Sequence, residues 1–150
     1  MNFLLNSRHR SSLLWVRYDP ELAMLKRINV DTSPRLPFFS HAVVAGDLIF
    51  VSGTLGLKPG RLELVEGGIR PETIQALRHV ENILMACDAG LKDVVRMEIY
   101  LSNLDDFSDM NAAYAEIVGD TPPARITVGK VGLNFGAAIE IVCTAYKPAG

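Results

Sequence analysis

Apolar residues recur along this chain with two periods, and the switches between them mark the elements. From Pro71 to Gly90, the residues Ile74, Leu77, Val80, Ile83, Leu84 and Cys87 follow i, i+3, i+4 spacing, which predicts a helix with one apolar stripe. Pro71 suits its first position and Gly90 its stop. A second helix is predicted over 104–119, with acidic residues in its first turns and Gly119 at its end. Alternation with period two predicts strands between and after the helices. In DVVRMEIYLSN (93–103), Val95, Met97, Ile99 and Leu101 share a face. ARITVGK (124–130) is a further strand. In AIEIVCTAYK (138–147), Ile139, Ile141, Cys143 and Ala145 alternate with Glu140, Val142, Thr144 and Tyr146. HAVVAGDLIFVSG (41–53) reads as a hairpin around Ala45-Gly46-Asp47. KRINV (26–30) suits a short edge strand, and a short strand pair is expected around Arg61–Val65. The predicted order is ββαβαββ: an α+β fold with two helices packed on one face of a mixed sheet. The other face then needs cover, which oligomerisation can supply. The last two strands are expected to pair across a long hairpin.

Bulk properties narrow the setting. The 150 residues suit one domain, and 49% apolar with 21% charged residues is ordinary for a globular chain. A net charge of -2 gives no long-range pull toward nucleic acid or an anionic membrane. No stretch approaches the roughly 20 apolar residues of a membrane span. Cys87 and Cys143 fall in apolar contexts without a CxxC or Cys/His cluster, so reduced core thiols are expected and a zinc site is not. Residues 1–23 carry Arg8, Arg10 and Arg17 among serines and no acid before Asp19, which resembles an organellar transit peptide. The alternative, preferred here, takes Met24 as the start of a domain over 24–150, with 1–23 an N-terminal extension outside the core fold and a cytoplasmic location.

The common catalytic motifs are absent: the chain has no GxSxG, HExxH, P-loop or GxGxxG. Of His9, His41 and His79, the last lies beside the helical stripe and reads as a satisfied or surface histidine. His41 opens a strand without a neighbour that marks it as a base. Two charges stand out in strands. Arg125 opens one directly after Pro122-Pro123, and Glu140 interrupts the apolar run AAIEIV. Burying either is costly unless it is paired. They read as a structural salt bridge, as exposed surface groups, or as a fixed guanidinium aimed at an anion.

PFFSHAVVAGDLIFVSG, the helix containing HVENIL, AGLKDVVRMEIYLSNLDDFSDMNAAYAEIVG, PPARITV and AAIEIVCTAY together resemble the RidA/YjgF family of imine and enamine deaminases, over residues 24–147. The resemblance implies a chorismate-mutase-like fold and a homotrimer with sites at the subunit clefts. It implies hydrolysis of 2-imino and 2-enamino acids, such as 2-aminoacrylate and 2-iminobutanoate, to 2-oxo acids and ammonia, with no cofactor and no metal. Arg125 matches the arginine that binds the substrate carboxylate, a task suited to a planar, permanently charged fork. Glu140 matches the glutamate that polarises the attacking water. Ser52 and Asn111 match positions lining the cleft, Asn111 bonding backbone across the interface.

Three positions depart from the family pattern. Phe39 stands where a tyrosine is frequent, Thr127 where a cysteine is, and Thr54 where a glutamine is common. They alter the walls, and so the substrate preference, more than the reaction class. The rival reading is a module that binds a 2-oxo acid or similar carboxylate without turnover. RNA cleavage, known among relatives, is weaker given the net charge and the lack of a basic-aromatic stripe.

Overall fold

The structure is a computed structural model, and it describes residues 25–148. The expectations for the N-terminal segment fall outside these residues. The elements are β1 (Lys26–Ile28), β2 (Ala42–Ala45), β3 (Leu48–Leu55), α1 (Ile69–Met85), β4 (Val94–Leu101), α2 (Phe107–Val118), β5 (Ala124–Gly129) and β6 (Ile139–Tyr146). The expected α+β architecture is present, with β1 a true edge strand that extends the predicted order. The strand pair expected around 61–65 is reduced to one isolated bridge between Leu57 and Leu64.

The helix limits differ from those expected for simple reasons. α1 begins two residues before Pro71, at Ile69, and its first bond runs from Glu72 N–H to Gly68 O. Pro71 lies in the first turn, where a missing N–H costs nothing. The helix ends at Met85 because Asp88, not Gly90, takes the left-handed conformation (φ 57) while Ala89 N–H returns to Leu84 O. The second helical pattern splits into a 3₁₀ turn, Leu104–Asp106, followed by α2.

The six strands lie in the order β1-β2-β3-β6-β4-β5. All neighbours are antiparallel except β4 and β5, which are parallel. The expected β5–β6 hairpin is therefore overturned: β4 lies between them. The cause is the β4–α2–β5 unit, whose helical crossover returns the chain parallel to β4 on its outer side. β6 must then enter the gap between β3 and β4.

Both helices lie over one sheet face. Leu77, Val80, Ile83 and Leu84 of α1 and Met110 of α2 are buried with Ile49, Val51, Met97, Ile99, Leu101, Ile139, Ile141 and Cys143 from the sheet. Cys143 is a free core thiol whose pKa burial pushes up to about 12, and Cys87 is half-buried and also free. One strand-face expectation fails. Val94 is 7% exposed and Val95 48%, because the β4–β6 register shifts between Val94 and Arg96. A bulge spends one residue and reverses the alternation behind it. On the face away from the helices, Phe50 and Ile126 remain 46% exposed, and Leu48, Val128 and Tyr146 are exposed too.

Candidate functional site

Glu140 follows Ile139 at the start of β6, on the open side of the sheet. Its neighbours in register are Leu55 of β3 and Tyr100 of β4. The β3–β6 register shifts between Val51 and Thr54, which places Gly53 directly beneath the Glu140 side chain. A Cβ on Gly53 would overlap Glu140 Oε1 and lie 2.9 Å from Cδ. The glycine is thus needed for close approach, not for an unusual backbone angle. Burial raises the Glu140 pKa above its ordinary value. Among the described residues no hydrogen-bond donor and no cation of this chain reaches its carboxylate.

The carboxylate lines a cleft of ≈ 90 Å³. Phe39 forms one wall and is held there by its backbone: Arg35 donates to Phe39 O at 2.8 Å, and Ser52 Oγ donates to the adjacent Ser40 O at 2.7 Å. Ser52 therefore acts on the loop and is not itself among the residues lining the cleft. Thr54 does line it, with its hydroxyl donated to Ser52 O at 2.9 Å. His41 also lines it, yet both ring nitrogens are engaged. Nδ1 accepts from Val30 N–H at 3.1 Å, so Nε2 carries the proton and donates to Pro34 O at 3.3 Å. The opposite wall is Asn134 and Phe135, the latter in a left-handed conformation (φ 59).

Arg125 lies elsewhere. It pairs in register with Met97, a core residue, so it stands on the helix side of the sheet, at the edge strand. Its guanidinium lies 4.9 Å from the Tyr114 ring centroid and 6.0 Å from that of Phe107, both on α2. Asn111, Tyr114, Pro122, Pro123 and Arg125 line a groove of ≈ 390 Å³. Thr127 points to the same side as Arg125, with its Oγ1 buried and unpartnered, as is Tyr114 Oη. The intrachain Arg125–Glu140 salt bridge is excluded. β4 separates the two strands, and the side chains leave opposite faces.

Among the described residues the other histidine is structural. His79 is buried, and its nitrogens meet Ser33 Oγ at 2.8 Å and Leu57 O at 2.7 Å, while burial lowers its pKa. Sequence reasoning missed Gly53, Asn134, Phe135 and Tyr114. Only Gly53 carried a signal, since a glycine inside a strand pattern marks a bulge or a close approach.

Comparison with known proteins gives this arrangement its lineage. The model of the family described as endoribonuclease L-PSP matches residues 32–147. The chain belongs to the RidA/YjgF/RutC family. A RutC family protein of Pyrococcus horikoshii is 38% identical over 109 residues, covering 73% of this chain and 86% of that one. The chloroplastic Reactive Intermediate Deaminase A of Arabidopsis thaliana is 37% identical over 107 residues, 71% of this chain and 57% of that one. The crystal structure of RidA from an Antarctic Psychrobacter species superposes with TM-score 0.76 at 31% identity, covering 81% of this chain and 98% of its own. The RidA-type sheet and helices described above are thus shared with solved members. Among the described residues no helix is long and apolar enough to cross a membrane.

Proposed function

We propose that this RidA-family protein hydrolyses 2-imino and 2-enamino acids, such as 2-aminoacrylate and 2-iminobutanoate, to 2-oxo acids and ammonia. One observation carries the reading. Glu140 is an unpaired, partly desolvated carboxylate held over Gly53 at the mouth of a small cleft. A desolvated carboxylate is a stronger base than one in water. It takes a proton from a water molecule whose oxygen adds to the C=N carbon. The imine nitrogen receives that proton to give the carbinolamine. The hydroxyl proton then passes through Glu140 to the amino group as the C–N bond breaks and the C=O bond forms, so ammonia leaves a 2-oxo acid. An enamine first becomes the imine, taking a proton from solvent at its β-carbon as its nitrogen gives one up.

The carboxylate of the substrate needs an anchor that Glu140's own cleft lacks. Arg125, braced against Tyr114 and Phe107, is the anchor in this proposal, with Asn111 beside it. Because the two residues face opposite ways, the site is assembled from two copies: the Arg125 groove of one protomer meets the Glu140 cleft of the next. The exposed Phe50, Ile126 and Val128 supply an apolar surface for a homotrimer. Thr127 and Phe39 then shape the walls, and Ser52 holds the Phe39 loop in register.

The test is a coupled assay in which an amino-acid oxidase or dehydratase generates the imine in situ. Wild type should outpace spontaneous hydrolysis, and Arg125→Ala and Glu140→Gln should both lose the acceleration. The competing reading, a 2-oxo-acid binding protein, gains from the missing hydroxyl at Phe39. It predicts no acceleration by wild type and 2-oxo-acid binding that survives in Glu140→Gln.

A further inference from the structure

The cleft beside Glu140 continues inward past the carboxylate, and its interior has a definite chemistry. Leu36, Leu55, Leu57, Leu62 and Ile83 line it together with the two phenylalanines at its mouth. Apart from Glu140 and the Asn134 amide beside Phe135, the polar side chains that reach it are already engaged. Ser33 meets His79, His41 bonds Val30 and Pro34, and Thr54 bonds Ser52. No lysine or arginine lines it. A polar substrate side chain would lose water there and find only the Asn134 amide as a partner. A carboxylate side chain would meet the like charge of Glu140 with no cation to offset it.

Size sets the second limit. A dry cavity of about 150 Å³ is enough to take benzene. The ≈ 90 Å³ here is smaller, a match for a chain of about three or four carbons and a tight place for an aromatic ring. A methyl or methylene group would leave most of the apolar wall unpaired.

We infer that this cleft is the side-chain pocket for aliphatic substrates of leucine size, making the protein selective for imino acids with branched or straight C3–C4 side chains over the methyl, aromatic and acidic ones. The inference rests on the proposed deaminase reading for the placement of the reacting carbon beside Glu140. Each added methylene in an apolar pocket is worth about 10-fold or more in kcat/KM. The leucine-derived imine is therefore expected to exceed the alanine-derived one by at least about 10-fold, with phenylalanine- and glutamate-derived imines below both.

The experiment measures kcat/KM for these four imines, generated in situ, on the full chain. In parallel, calorimetry ranks the four corresponding 2-oxo acids by affinity. Leu62→Trp, a change on an exposed loop, narrows the cleft. It should lower the leucine-to-alanine ratio at least about fivefold, as expected of a lost apolar fit. A ranking with the alanine-derived imine equal or first, or the glutamate-derived one first, overturns the pocket while leaving the deaminase standing. If no imine is turned over but 4-methyl-2-oxopentanoate still binds tightest, the deaminase reading fails and the pocket stands. Equal, or absent, binding of all four oxo acids overturns it.

Discussion

Replacing Gly53 with alanine separates the site from the fold. The new Cβ overlaps Glu140 Oε1 and lies 2.9 Å from Cδ and 3.3 Å from Cγ, with no other atom among its three nearest. The obstacle is the far end of a flexible side chain, so the chain relieves the clash by rotating Glu140. The stability cost is then about 1 kcal/mol, at the low end for an overpacked site. The proposed hydrolysis has no such freedom. The carboxylate oxygen must move by more than about 1 Å, a misplacement that costs roughly 100-fold in rate, or about 2.7 kcal/mol of barrier. Gly56 is the control. A Cβ there meets backbone, Glu72 Cα and O both at 2.6 Å, which cannot rotate away. Gly56→Ala should therefore lose several degrees of Tm. Thermal melts and single-turnover rates on both variants decide the matter. A Gly53→Ala variant with unchanged kcat would refute the proposed placement of Glu140 as the group that handles the water.

Three further outcomes follow from named groups. Burial raises the Glu140 pKa, and only the ionised form takes a proton from water, so kcat/KM should fall as pH drops through a midpoint above the ordinary carboxylate value. A pH–rate profile with its acid limb at or below that value contradicts this. Burial also raises the pKa of Glu72, which is 5% exposed and accepts from Ala138 N–H at 2.8 Å. Its penalty is absent below the unfolded pKa and grows as pH rises through the folded one. Glu72→Gln keeps an acceptor without the charge, so Tm should rise at pH 8 and stay unchanged at pH 4. Ile126→Glu places a charge on the exposed sheet face. Light scattering should find a smaller assembly and the deaminase assay a parallel loss of activity, whereas an intact assembly would count against that face as the interface.

The elements were legible because each stripe is long and its period unambiguous. Leu77, Val80, Ile83 and Leu84 could only be one face of a helix, and Ile139 through Ala145 only one face of a strand. What escaped was set by tertiary context. Nothing in ARITVGK says that it pairs parallel with β4; the crossover through α2 decides that. The bulge that turned Val95 outward depends on a register with β6, which the sequence of β4 alone does not contain. Arg125 and Glu140 were legible as candidates because strands rarely carry isolated charges. Their arrangement was not legible, since facing depends on strand order. Gly53, Asn134 and Phe135 matter only through what lies over or beside them.

The strand order has a chemical consequence. Had β5 and β6 been neighbours, Arg125 and Glu140 would have stood within reach of each other. A guanidinium beside a carboxylate lowers its pKa and so weakens it as a base. It would also occupy the fork that a substrate carboxylate needs. With β4 between them, Glu140 keeps a pKa raised by burial, and Arg125 rests on aromatic faces, which brace it without competing for its N–H donors. In the proposed trimer the two groups meet across an interface with substrate between them, so each reaches the site in its reactive state. Mixing Arg125→Ala and Glu140→Gln protomers tests this directly. Neither variant alone retains a functional pair, but a mixed trimer contains one cleft built from the two intact halves. Recovery of activity on unfolding and refolding the two variants together is the expected result. Its absence, with trimers re-formed, would place the two residues in separate sites.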